Sequence, residues 1–303
     1  MVVYHDYDAL MAQVCLPELV ECMDLALRQK MDTQCEIPQR SMIYRDDGRS
    51  AYFSMPAFSA DMQLFISKVA TFKARSASDD FPSIHSVLVA FESETGKLSA
   101  LLDGTAITNI KCAALSALVT RYCSLNTSHH LALLGSGVQA RQQLWALSSI
   151  RTIEKLSIWS RSRNNALQLA REAAEIWLPN CKIEVLDDPE DALCQASLIA
   201  TTTASCRPIA QFESLVPGVH INCMGAHTPE SREIPRDVLQ RSVLIVENQA
   251  TACAEAGEWH RQAIEIGPLV NGPSRSDDTT IFSSTGYAFY DLVTACYLLN
   301  KLK

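Results

Sequence analysis

The segment LALLGSGVQA (131–140) combines residue types and spacing that suit a phosphate-bearing ligand. An apolar run enters Gly135-x-Gly137-x-x-Ala140, and a helix-like segment follows directly. In such a turn Gly135 permits the sharp bend and Gly137 lets the backbone approach a pyrophosphate, while Ala140 allows close helix–strand packing. Free N–H groups at the helix start add partial positive charge towards the phosphates. Small residues also serve purely structural turns, so the motif gains its weight from the strand–helix context around it. About 20 residues on, a dinucleotide site for NAD places Asp or Glu to bind the ribose 2′-hydroxyl. This chain has Trp159-Ser160-Arg161-Ser162-Arg163-Asn164 there, with two arginines, two serines and no acid. Guanidinium and hydroxyl groups suit a 2′-phosphate, which a carboxylate would repel. The two segments predict an NADP site with NADPH favoured over NADH; a solvated basic loop before a helix is the structural alternative.

The elements that must position these residues follow from periodicity. From residue 130 onward short apolar runs alternate with helical patterns, the signature of a parallel sheet. The expected strands are 130–135, 155–160, 182–187, 198–203, 219–225 and 243–248, with helices at 138–150 and 164–177. The first third reads differently. A helix at 17–31 follows a proline start, and runs 50–58, 65–74 and 86–93 are β-branched or aromatic with partial alternation. With a returning strand before residue 103 they predict a mostly antiparallel sheet, which the Ala- and Leu-rich helix 107–123 leads out of. The amphipathic helix 285–302 is expected to return and pack on that first domain. The predicted fold class is therefore α/β: a Rossmann doubly wound sheet plus a smaller α+β domain. Residues 1–122 with 280–303 form the substrate-binding and dimerisation domain, and 123–279 the nucleotide-binding domain.

Composition bounds the partners. A chain of 303 residues exceeds what one hydrophobic core usually serves, which favours two domains. The net charge of −8 argues against nucleic acid or an anionic membrane as a general partner. No apolar run approaches the roughly 20 residues that span a bilayer, and MVVYHDYDAL lacks a signal-peptide pattern, so a cytoplasmic location is expected. Eleven cysteines are scattered from Cys15 to Cys296 without a C-x-x-C pair, so neither a disulfide framework nor a metal site is expected. Most of these thiols are expected to be buried and reduced.

The chain resembles the ornithine cyclodeaminase/mu-crystallin family, which includes imine reductases acting on cyclic 2-carboxylates. The resemblance is carried by SMPAF (54–58), SKVATF (67–72), LLDGTAITNIKCAALSAL (101–118) and LLGSGVQA (133–140). It continues in IWSRS (158–162), PGVHINCMGAHTPESREI (217–234), AEAGEW (254–259) and TIFSSTGYAFYDL (280–292). The resemblance implies a homodimer joined through the first domain, with the active site in the interdomain cleft. Arg40 and Lys68 stand where the family uses basic residues around a substrate carboxylate. Lys111 stands where the family usually has arginine, keeping the charge but losing the planar fork. The resemblance also implies cofactor contacts from Ser136, Val138, Gln139, Ser160, Arg161, Ser162, Thr202, Met224 and Ser284, with Thr201 as an equal alternative to Thr202. His85 lies near a polar cofactor-side position, offset by one residue. At His227 the family's cyclodeaminases carry Asp, so histidine there favours a reductase; a turn cap before Pro229 is the alternative role.

These assignments imply hydride transfer to a small cyclic imino acid. Arg40 and Lys111 would hold its carboxylate, and Lys68 would hold it or relay a proton. The expected reactions are Δ1-pyrroline-2-carboxylate to L-proline and Δ1-piperideine-2-carboxylate to L-pipecolate. An ornithine cyclodeaminase, an alanine-type dehydrogenase and a non-enzymatic NADP-dependent binding protein are the alternatives.

Overall fold

The computed structural model describes residues 3–45, 50–73, 84–225, 228–229 and 231–302. The chain divides into two compact units, residues 1–112 with 287–303 and residues 113–286. The division falls inside one continuous helix, Gly104–Cys123, whose last eleven residues belong to the second unit.

The first unit is built on a six-stranded sheet. Its strands are β1 (Tyr4–His5), β2 (Ser41–Tyr44), β3 (Ser50–Ser59), β4 (Leu64–Lys73), β5 (Ile84–Glu92) and β6 (Leu98–Asp103). They lie in the order β1-β6-β5-β4-β3-β2, antiparallel except for the β1–β6 pair. Because side chains alternate between faces, β4 buries Leu64, Ile66 and Ala70 on one face and exposes Phe65 and Val69 on the other. The helix Ala288–Lys301 packs on β3, β4 and the helix Leu16–Arg28. The latter stops three residues before its expected end, and Lys30 follows with a left-handed φ of 56°.

The second unit holds eight parallel strands. They are β7 (His130–Leu134), β8 (Lys155–Trp159), β9 (Lys182–Val185), β10 (Leu198–Thr201), β11 (His220–Cys223), β12 (Val243–Val246), β13 (Ile264–Glu265) and β14 (Thr280–Ser283). Their order is β13-β12-β14-β11-β10-β7-β8-β9. The sheet is covered on both faces, as parallel sheets require. Leu131 and Leu133 pack with Leu144 and Leu147 on one side, while Ala132 and Leu134 join Ile199, Ile221 and Ile281 on the other. The order reverses between β7 and β10, and ligands of such sheets bind at the carboxyl ends beside that point.

Two expectations need correction. Residues 113–122 and 280–286, assigned to the first domain from sequence, lie in the second unit, the latter because β14 hydrogen-bonds on both sides between β11 and β12. Burial of most cysteines also fails: all eleven are free thiols, but only Cys123 and Cys223 are buried. Cys22, for example, is exposed on the helix Leu16–Arg28.

Candidate functional site

The turn after β7 is shaped for a close approach. Gly135 has φ +124°, and a Cβ there would lie 2.3 Å from Thr202 Oγ1, so only glycine fits. Gly137 is the N-cap of the helix Val138–Ser148, and a Cβ built on it meets no heavy atom within 4 Å. A cavity of about 430 Å³ opens here, lined by Gly135, Ser136, Gly137, Ser160, Arg161 and Thr202 among others. The open space at Gly137 and the N–H groups of a helix start that no side chain caps among the described residues fit a pyrophosphate. Ser136 and Ser160 hydroxyls are hydrogen-bonded to each other at 2.7 Å. Arg141 braces the turn from behind, donating to the Ser136 and Gly137 carbonyls at 3.0 and 3.1 Å while paired with Glu172.

Arginine and serine roles separate at the next strand end. Arg163 is engaged with Asp187, whereas Arg161 lines the cavity and makes no ion pair among the described residues. The Ser162 hydroxyl caps the helix Arg163–Glu172 by accepting from the Asn165 N–H. No carboxylate lines this cavity.

The remaining nucleotide-side residues are placed unevenly. Thr202 lines the cavity and donates to the Leu134 carbonyl, while Thr201 is wholly buried within β10. Val138 is exposed, and the half-buried Gln139 has a buried Oε1 without a hydrogen-bond partner among the described residues. Met224 follows β11 and accepts from the Ser116 hydroxyl at 3.5 Å. Ser284 follows β14 and donates to Glu247 at 2.6 Å. His227 lies outside the described residues.

Two buried carboxylates, Glu233 and Glu247, were not anticipated from sequence. Glu233 accepts from the Thr203 N–H and hydroxyl and from the Gly225 N–H, tying the loops after β10 and β11 together. Glu247 accepts from Ser284 Oγ and the N–H groups of Thr285 and Gly286. Such multiply hydrogen-bonded carboxylates fix loop backbones at the carboxyl edge of the sheet.

The first unit holds a different cluster. Lys68 occupies an inward position of β4, between Ile66 and Ala70, where the alternation calls for an apolar side chain. Its strand neighbours in register are Met55 and Leu88, both buried. Lys111 projects from the helix Gly104–Cys123, and both lysines are at least 95% buried, being 5% and 3% exposed. Asp291, from the helix Ala288–Lys301, bridges them: Oδ1 accepts from Lys68 Nζ at 2.7 Å and Oδ2 from Lys111 Nζ at 3.1 Å. Burial, reinforced by the Lys111 charge and opposed by Asp291, lowers the Lys68 pKa to about 8. Burial would raise the Asp291 carboxyl, but the Lys111 and Lys68 charges outweigh it and hold the group below its ordinary value.

Arg40 is half-buried immediately before β2. Ser41 pairs with Ser54, so one further step of the register sets Arg40 level with Met55 and Lys68, about 10 Å from Lys68 across two strand spacings. His85 pairs with Thr71 on the opposite face of the sheet from Lys68 and does not join the cluster. Asp291 was not anticipated, although a lone acid in the apolar run GYAFYDLVTACYLL is a readable signal.

The model of the ornithine cyclodeaminase/mu-crystallin family matches residues 4–303. The chain belongs to this family. It is 30% identical over 264 residues to the ketimine reductase mu-crystallin of Rattus norvegicus, covering 85% of this chain and 82% of the relative. It is 26% identical over 304 residues to the Δ1-pyrroline-2-carboxylate reductase of Bacillus cereus, covering 95% and 93%. Among solved structures it resembles the Thermococcus litoralis Δ1-pyrroline-2-carboxylate reductase in complex with NADH and L-proline. The TM-score is 0.90 at 24% identity, over 99% of this chain and 97% of the other. This last likeness speaks for the shared fold.

Proposed function

We propose that the protein is an NADPH-dependent reductase of cyclic imino acids, converting Δ1-pyrroline-2-carboxylate to L-proline and Δ1-piperideine-2-carboxylate to L-pipecolate. The observation that carries this reading is the buried pair Lys68 and Lys111 sharing the single carboxylate of Asp291. The two buried amino groups, fixed 2.7 and 3.1 Å from the two oxygens of Asp291, form a basic cluster that suits a substrate carboxylate. The family supplies the reaction class, since its relatives include ketimine and Δ1-pyrroline-2-carboxylate reductases.

A bound nicotinamide supplies hydride to the imine carbon, and the imine nitrogen takes up one proton. In this account Gly135, Ser136, Gly137 and the start of the helix Val138–Ser148 hold the pyrophosphate. Ser160 and Arg161 take the 2′-phosphate, which favours NADPH over NADH. Val138, Gln139, Ser162, Met224, Ser284 and one of the Thr201–Thr202 pair complete the nucleotide contacts, Thr202 being favoured because it lines the cavity. Lys111 and Arg40 orient the substrate carboxylate. Lys68, with its pKa near 8, holds a proton at Nζ at neutral pH and can release it to the substrate side as the amine forms.

We also propose a homodimer. The face of the first sheet opposite Lys68 exposes Ile43, Tyr52, Val69 and Phe65, an apolar area that a second copy would cover. No helix among the described residues is long and apolar enough to cross a membrane, and a cytoplasmic enzyme of amino-acid metabolism is the consistent setting. The kinetic test is Lys68→Met: the proposal expects loss of imine reduction with retained NADPH binding. Unchanged turnover would remove Lys68 from the mechanism. Light scattering on the purified protein, with a monomer as the contrary outcome, tests the dimer.

A further inference from the structure

We infer that Asp291 is a positioning residue for this reaction, holding the Lys68 and Lys111 side chains side by side to meet the substrate. The inference rests on the proposed reading of the two lysines as the carboxylate site. Three observations carry it. Asp291 is completely buried, and each of its oxygens accepts from a different lysine. Lys68 is otherwise flanked in the sheet by Met55 and Leu88, which offer no charge, and it also donates to the Thr108 hydroxyl at 3.5 Å. The three side chains come from β4, the helix Gly104–Cys123 and the helix Ala288–Lys301, so the acid is brought in by the last helix of the chain.

Two ammonium groups buried together repel each other and lose hydration, and each effect favours losing a proton. Asp291 opposes both effects on Lys68; the other groups bearing on Lys68 are Lys111, which lowers its pKa, and Cys112, which raises it. Without the carboxylate, Lys68 would lose its proton at lower pH. Its grip on an anionic substrate and its proton would both be lost. With the carboxylate, the two Nζ atoms are fixed at 2.7 and 3.1 Å from one rigid group. The substrate carboxylate then meets a preset pair of donors.

The test is Asp291→Asn, which keeps the shape and removes the charge. The alkaline limb of kcat/KM, where a protonated lysine is lost, should move to lower pH by about 1 unit or more, the scale for removing an opposite charge at this distance. NADPH affinity, read by fluorescence titration, should remain within about twofold of wild type, since the nucleotide residues lie in the other unit. An unmoved limb with unchanged KM overturns the inference while Lys68→Met still loses turnover and Lys111→Met still raises KM. If those two variants leave turnover and KM unchanged, the reading beneath it fails instead and the inference falls with it. Should Asp291→Asn not fold, Lys111→Met compared with Lys111→Met/Asp291→Asn reads the same limb, with one buried charge of each sign removed. A downward shift between these two supports the role of Asp291, and no shift overturns it.

Discussion

Replacing Gly137 by alanine separates binding from folding. Gly137 has φ −84°, a backbone conformation alanine adopts freely, and the new methyl meets no heavy atom within 4 Å. The fold should therefore be unharmed, and a less flexible unfolded chain should add about 0.4–1 kcal/mol of stability. The same methyl, however, occupies the space through which a pyrophosphate would approach the backbone. Losing one charged hydrogen bond costs about 1.5–3 kcal/mol, roughly a 10- to 150-fold weaker Kd for NADPH. Gly135→Ala is the control with the opposite sign. Its φ of +124° and the 2.3 Å approach to Thr202 Oγ1 should destabilise the protein by about 1–3 kcal/mol or more. Urea unfolding and nucleotide titration on both variants read the two effects independently. A wild-type Kd in Gly137→Ala would refute the placement of the pyrophosphate against this turn.

Arg161→Ala should weaken NADPH binding by about 1–3 kcal/mol and NADH binding much less; equal losses in paired titrations would remove Arg161 from the 2′-phosphate. Lys111→Met should raise KM for a cyclic imino acid by about tenfold or more, and Lys111→Arg should lower KM if the site has room for the fork; unchanged kinetics in Lys111→Met would make the residue structural. His220 is fully buried between Thr280 and Asn222, and burial lowers its pKa to about 3. The folded state thus keeps it neutral while the unfolded state takes up a proton below about 6.5, so stability falls as pH drops through the window from about 6.5 to 3. By pH 5 the loss amounts to about 2 kcal/mol. Denaturation of wild type and His220→Gln at pH 7.5 and pH 5, about one unit above and one and a half units below the free histidine value, should show a smaller pH loss in the variant; parallel losses would contradict the assignment.

Long elements with a clear period were legible in the sequence. β3, β4 and β5 alternate over nine or ten residues each, and the glycine turn with its flanking strand and helix sits where the pattern placed it. The short apolar strands β7 to β12 were legible as well, but β14 was not. β14 has four residues, all buried, so it shows no alternation, and its place between β11 and β12 is set by pairing with distant segments. Lys68 could have been read as an inward residue from Ile66 and Ala70 on the same strand face. Its pairing with Asp291 could not, because the two lie 223 positions apart and local periodicity carries no information at that range. Glu233 is similar: its importance appears only when the loops after β10 and β11 converge on it. The arginine pair after β8 divided in a way charge alone did not reveal, with Arg163 engaged by Asp187 and Arg161 left at the cavity.

The most direct measurement follows NADPH oxidation by the purified protein with Δ1-pyrroline-2-carboxylate or Δ1-piperideine-2-carboxylate, alongside L-ornithine with catalytic NAD. The account predicts one NADPH consumed per L-proline or L-pipecolate formed, a stoichiometry set by one hydride per imine, and no ammonia from L-ornithine. Ammonia and proline from L-ornithine without net nucleotide consumption, with the imines left unreduced, would contradict it.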